Sequence, residues 1–272
     1  MTERPAFRFG PAILFCPADR PERYAKALDR ADAVILDLED AVAPGAKPAA
    51  RVALVETPLD PERVIVRVNP ASGDDFAADL TALAATDYRT VMLAKCEGTA
   101  DLVDLAELEV IALCETARGV MAAPEIAAIP NVSALMWGAE DLVASLGGSS
   151  SRGSDGGYRD VARHARSRVL LAAGAHGAAA IDAVHLDIAD LDGLRLEAED
   201  AAASGFAATA CIHPSQAEVV RSAYRPDPER IEWARAVLAA AEGERGVFAF
   251  RGTMVDAPLL AQADAVLRRA RD

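Results

Sequence analysis

Eight short apolar runs recur along the chain, at residues 12–16, 33–38, 64–68, 90–94, 110–114, 132–136, 181–186 and 208–212, with helix-patterned segments between them. The runs are continuous rather than alternating. A strand with one face in water alternates; an unbroken run is buried on both faces, as in a parallel sheet covered by helices. Eight strand–helix units of about 20–30 residues each predict a (β/α)8 TIM barrel, with an open doubly wound sheet as the fallback. Residues 1–222 are assigned to the barrel. Residues 223–272 form a C-terminal extension, read as a helix over 227–242, an extended stretch over 248–256 and a last helix over 258–269. A minimal barrel does not need this tail, which can cover a barrel end or reach a neighbouring subunit.

Composition narrows the function. Hydrophobic residues make up 52% of the 272, enough for a sizeable core. Net charge is 28 − 42 = −14, which excludes nucleic acid and anionic membrane surfaces as general partners. No apolar run approaches a membrane span, and the first nine residues lack a signal-peptide core, so a cytoplasmic protein is expected. Cys16, Cys96, Cys114 and Cys211 are widely spaced in apolar runs and read as reduced core thiols, not zinc ligands.

In a barrel of this kind the chemistry sits at the C-terminal ends of the strands. Those ends carry Asp37, Glu39 and Asp40; Arg67 and Asn69; Lys95; Glu115; Glu140 and Asp141; Asp187; and His213. Carboxylates are rarely buried unless paired or bound to metal, and oxygen ligands without cysteine or histidine spacing favour Mg²⁺, with Mn²⁺ as the alternative. Glu115 and Asp141 are the predicted ligands. Asp37 and Lys95 support them, and Glu39, Asp40 and Arg67 belong to the catalytic set. Arg67 can also grip a substrate carboxylate in bidentate fashion. Lys95 beside so many acids reads as a paired ammonium rather than a Schiff-base nucleophile.

Arg20, Arg23, Lys26 and Arg30, with Lys47 and Arg51 one unit further on, form a basic cluster in an acidic chain. It suggests a bound polyanion such as the phosphates of a CoA thioester. Gly138, Ala139 and Glu140 are placed against the substrate, with backbone amides of 138–141 facing developing negative charge. The Gly/Ser-rich loop 147–157 lacks a Walker pattern and reads as a flexible lid or a subunit-contact loop. His164 and His176 read as exposed or structural, His185 as a core residue within the seventh strand, and His213 as a residue that can orient a ligand.

Five segments together resemble a known family. They are Leu14-Phe15-Cys16-Pro17-Ala18-Asp19-Arg20-Pro21-Glu22-Arg23, Leu36-Asp37-Leu38-Glu39-Asp40-Ala41-Val42, Arg67-Val68-Asn69, Glu115-Thr116-Ala117-Arg118-Gly119 and Trp137-Gly138-Ala139-Glu140-Asp141-Leu142. In this order they are similar to the HpcH/HpaI aldolase/citrate lyase family, nearest to its stand-alone citrate lyase beta subunit-like branch. The resemblance implies a homotrimeric (or dimer-of-trimers) TIM barrel. Such an enzyme makes or breaks a carbon–carbon bond in a 3-hydroxyacyl-CoA with Mg²⁺, its partners being an acyl-CoA thioester and a 2-oxo acid. It implies Glu115 and Asp141 as metal ligands and Arg67 as a substrate contact. It also implies that Asp256 enters a neighbouring subunit's site as the acid/base, whereas the local sequence alone reads Asp256 as a helix N-cap before Pro258. A citryl-thioester lyase acting on an acyl carrier, an aldolase acting on free oxo acids and a non-catalytic CoA-binding protein are the alternatives.

Overall fold

The computed structural model describes residues 4–244 and 246–270. Eight parallel strands close on themselves: β1 (Ala12–Pro17), β2 (Ala33–Asp37), β3 (Val64–Val68), β4 (Thr90–Leu93), β5 (Glu109–Cys114), β6 (Val132–Trp137), β7 (Ala179–Asp182) and β8 (Ala208–Cys211). Each strand pairs with its sequence neighbour, and β8 returns to β1 with Thr209 opposite Ala12. This is the TIM barrel that the continuous apolar runs predict.

Side chains alternate across each strand, so one set fills the barrel while the other meets the surrounding helices. The inner set includes Ile13, Ile35, Ile65, Met92, Ile111 and Ile181, joined by Phe9 from the segment entering β1. The surrounding helices are α1 (Tyr24–Arg30), α2 (Lys47–Glu56), α3 (Phe76–Ala84), α4 (Ala117–Ala127), α5 (Ala139–Ser145), α6 (Asp160–Ala175), α7 (Leu191–Ser204) and α8 (Pro214–Tyr224). Local chemistry sets several ends. Thr116 caps α4 by accepting from the Gly119 amide, Asp190 caps α7 from Gly193, and Gly205 ends α7 with φ 106°.

Four boundaries differ from the sequence reading. The seventh strand is 179–182, not 181–186, so His185 lies in the following loop. The 99–108 helix is a 3-10 turn over Thr99–Leu105. Helices α5 and α8 were not anticipated. All four cysteines are buried and free, as expected. Burial pushes the thiols of Cys16 and Cys96 up to about 11 and about 12, and Cys114 well above its usual value.

The chain divides into two compact units, one ending at Val220 and the other beginning at Arg221. The second contains α9 (Pro228–Ala241), a hairpin of β9 (Phe248–Phe250) and β10 (Thr253–Val255), and α10 (Ala257–Arg269). Its own core is Ala234, Val237, Val255, Ala263 and Val266. The hairpin turns on Arg251 and Gly252, both with positive φ, as a type I′ turn requires. Among the described residues no helix is long and apolar enough to cross a membrane.

Candidate active site

The strand alternation that fills the barrel also selects which side chains face its C-terminal mouth. Asp37 and Arg67 are register partners on β2 and β3, at the ends of the inward-facing rows. Arg67 grips Asp37 in bidentate fashion, Nε to Oδ1 at 2.7 Å and Nη2 to Oδ2 at 2.6 Å. Its Nη1 lies 3.0 Å from Glu39 Oε2, and the guanidinium carbon sits 4.9 Å from the centre of the Phe15 ring. A guanidinium has five N–H donors; three are committed, and one on each Nη remains. The Glu39 and Ala41 amides satisfy the other lone pairs of Asp37.

Glu115 follows β5 directly and is 3% exposed. Its Oε1 accepts from the Lys95 amide at 3.1 Å. Burial, reinforced by the nearby Asp141 charge, raises its pKa to about 8 despite Arg67 and Lys95. A buried carboxylate in that condition calls for a cation. Gly138 makes room for it: a Cβ there would meet Glu115 Oε2 at 2.8 Å.

Asp141, in the first turn of α5, lies with Oδ1 at 3.3 Å from Lys95 Nζ. That ammonium also bonds Glu39 and, at 3.1 Å, Asp40. Burial works against the Lys95 charge, but the Glu39 hydrogen bond and the surrounding carboxylates outweigh it and raise its pKa. Lys95 is therefore a paired ammonium, as its acidic surroundings predict. Burial raises Glu39 against the pull of Arg67 and Lys95; for Asp40 the Lys95 bond and charge overcome burial and hold the carboxyl low.

Asp37, Arg67, Glu115, Gly138, Ala139, Glu140 and Asp141 line a single cavity of about 220 Å³, whose apolar lining includes Phe15, Leu113, Met136, Val184, Leu186 and Ile212. No group of three or more His, Cys, Asp or Glu side chains among the described residues comes together as a metal cage. The pair Glu115 and Asp141 fits Mg²⁺ all the same, because that ion takes one or two carboxylates and leaves its other positions to water and ligand oxygens.

Other predicted residues lie elsewhere. Glu39 and Asp40 do not line the cavity; they hold Arg67 and Lys95 in place. Lys47 and Arg51 are not free cations. Lys47 bonds Asn69 Oδ1 and lies 3.6 Å from Asp75, while Arg51 pairs with Asp75 at 2.5 Å and Asp79 at 2.8 Å. Those acids come from the next strand–helix unit, which local sequence does not reveal as neighbours. Arg20, Arg23, Lys26 and Arg30 are exposed on α1 and the turn before it. Asp187 caps its own loop by accepting from Ala189, and His213 pairs with Ser215 two residues on; neither lines the cavity. Asp256 accepts from the Leu259 amide at 3.2 Å and caps α10.

Two buried networks were missed. Asp182 accepts from Trp137 Nε1 at 2.6 Å and from Arg166, joining β7 to β6 and α6. Its place at a strand end was hidden by the misplaced seventh strand. The loop 147–157 is fastened rather than loose. Ser151 is buried and donates to Glu140, while Arg152 pairs with Glu197 and covers the Tyr158 ring at 4.0 Å. His185 bonds the same Glu197 at 2.9 Å.

Known proteins resemble the chain over most of its length. A citrate lyase subunit beta-like protein of Mycobacterium tuberculosis is 63% identical over 261 residues, 96% of each chain. A (3S)-malyl-CoA thioesterase of Cereibacter sphaeroides is 35% identical, covering 95% of this chain and 94% of the relative. The mitochondrial citramalyl-CoA lyase of Mus musculus is 30% identical, covering 95% and 85%. The crystal structure of CitE from M. tuberculosis in complex with magnesium, acetoacetate and coenzyme A superposes with a TM-score of 0.93 at 62% identity, covering 97% of this chain and 99% of that one. The family model for HpcH/HpaI aldolase/citrate lyase matches residues 12–214, from the first residue of β1 to the start of α8. The chain belongs to the HpcH/HpaI aldolase/citrate lyase family.

Proposed function

We propose that this protein is a magnesium-dependent 3-hydroxyacyl-CoA lyase. It cleaves citramalyl-CoA or malyl-CoA to acetyl-CoA and pyruvate or glyoxylate, and runs in reverse as a condensation. The observation that carries the reading is the meeting, in one cavity, of the Glu115–Asp141 pair with an Arg67 that keeps two N–H groups uncommitted. The relatives that bind magnesium and CoA or act on citramalyl-CoA support it.

When bound by Glu115 and Asp141, Mg²⁺ (or Mn²⁺) would supply Lewis acidity toward the hydroxyl and carboxylate oxygens of the substrate. The protein does the rest. Asp256, supplied by a second copy of the chain, takes the hydroxyl proton. The electrons of that O–H bond form the new carbonyl, and the broken carbon–carbon bond leaves its pair on the thioester as an enolate. Protonation of the enolate carbon then gives acetyl-CoA. Arg67 is held rigid by Asp37 and Glu39 and meets developing negative charge without reorganising. The backbone at Gly138, Ala139 and Glu140 lines the same wall. Arg20, Arg23 and Lys26 offer exposed cations for CoA phosphates. We infer a homotrimer, or a dimer of trimers, as the assembly that brings Asp256 to a neighbour.

The test is release of pyruvate and acetyl-CoA from (S)-citramalyl-CoA, with Mg²⁺ and with EDTA. Turnover that EDTA abolishes and Asp256→Ala lowers by at least about a hundredfold is the expected result. Release of free CoA and citramalate would make the protein a thioester hydrolase. A folded, metal-binding protein with no turnover would shift the substrate to a carrier-bound citryl thioester.

A further inference from the structure

Among the described residues, Lys95 touches both carboxylates assigned to the metal. Its main-chain amide donates to Glu115 at 3.1 Å, and its ammonium lies 3.3 Å from Asp141. The backbone there is unusual. Lys95 has φ 49°, a left-handed conformation that suits glycine and that lysine rarely adopts. Such strain persists only where the surroundings over-determine it, and it gathers at working sites. A glycine would provide the same amide without strain, but it would not provide the cation.

The charge balance shows what the cation is for. Arg67 is committed to Asp37 and Glu39, and among the described residues Lys95 is the cation paired with Asp141, an ammonium it shares with Glu39 and Asp40. A divalent ion on Asp141 would put two positive charges beside that ammonium, and the carboxylate of a 2-oxo acid would offset one of them.

We propose that Lys95 is a resident counter-cation of the metal site, occupying Asp141 until a divalent ion displaces it, so that free Mg²⁺ binds weakly and the anionic substrate tightens it. This rests on the assignment of Glu115 and Asp141 to the metal. The coupling is reciprocal: whatever factor the oxo acid adds to Mg²⁺ affinity, Mg²⁺ adds to the affinity for the oxo acid.

The experiment is calorimetric titration of MgCl₂ into the EDTA-stripped full chain, with and without pyruvate, for the wild type, Lys95→Met and Lys95→Arg. Lys95→Met should bind free Mg²⁺ about tenfold more tightly, because a nearby positive charge has gone. Pyruvate should tighten Mg²⁺ in the wild type more than in that variant, and Lys95→Arg should behave as the wild type. A gain in affinity cannot arise from a damaged fold. If Lys95→Met does not fold, Lys95→Gln carries the same prediction. Unchanged or weaker Mg²⁺ binding in the neutral variant, beside measurable binding in the wild type, overturns the role of Lys95 alone. No Mg²⁺ binding by the wild type even with pyruvate present overturns the metal assignment beneath it.

Discussion

Glu115 is a residue on which burial and a neighbouring charge press in the same direction. In the metal-free fold its pKa stands near 8 rather than 4.5, raised first by burial and then by Asp141. The sign of the consequence follows. Between those values the native state holds a proton that the unfolded chain has lost. The stability Glu115 contributes is therefore complete below the lower value and is lost as pH rises through the upper one. Glu115→Gln removes that dependence. In EDTA, the melting temperature of the wild type should fall relative to Glu115→Gln between about pH 5 and pH 9, by about 3 °C or more. Mg²⁺ should restore the wild type and leave the variant unmoved. Parallel melting curves in the absence of metal would show that Glu115 is not held protonated.

At the level of elements, the loop between α5 and α6 does more than its Gly- and Ser-rich composition suggests. Arg152 is its fastening: a fork onto Glu197 and a lid on Tyr158, whose ring meets Trp137 edge-on at 5.2 Å. Arg152→Ala should raise the rate of proteinase K cleavage within 152–157 several-fold while Mg²⁺ affinity holds, because Glu115 and Asp141 make no contact with Arg152. An unchanged cleavage rate would mean that Ser151 and the antiparallel backbone bridge between positions 152 and 158 suffice alone. The loop also shows where sequence reading stops. The barrel strands were legible because burial on both faces writes an unbroken apolar run. The inward carboxylates were legible because they end such runs. The seventh strand was misplaced because its alanines, 179 and 180, carry little apolar signal and Val184 and Leu186 carry more. Helix α5 was missed because its seven residues open on Ala-Glu-Asp directly after Gly138, which reads as a turn. The commitments of Lys47 and Arg51 were illegible because Asp75 and Asp79 approach only through tertiary packing.

On the scale of the whole molecule, the proposal that a site takes its barrel from one chain and Asp256 from another makes a testable demand. Glu115→Gln and Asp256→Ala should each be inactive alone. Co-assembled in equal amounts they should recover about one quarter of wild-type turnover, since a site needs an intact barrel and an intact neighbour, each with even odds. No recovery in verified mixed assemblies would confine each site to one chain. The interior offers a practical route to such assemblies. Its four thiols are all buried, and at least three resist ionisation at neutral pH. The native thiols are thus close to invisible to maleimide dyes. One cysteine added at an exposed position would be the sole reactive handle, without first stripping out the native four. Copies bearing two colours could then be watched as they trade partners, and the protein carries that silent background by virtue of how tightly its barrel is packed.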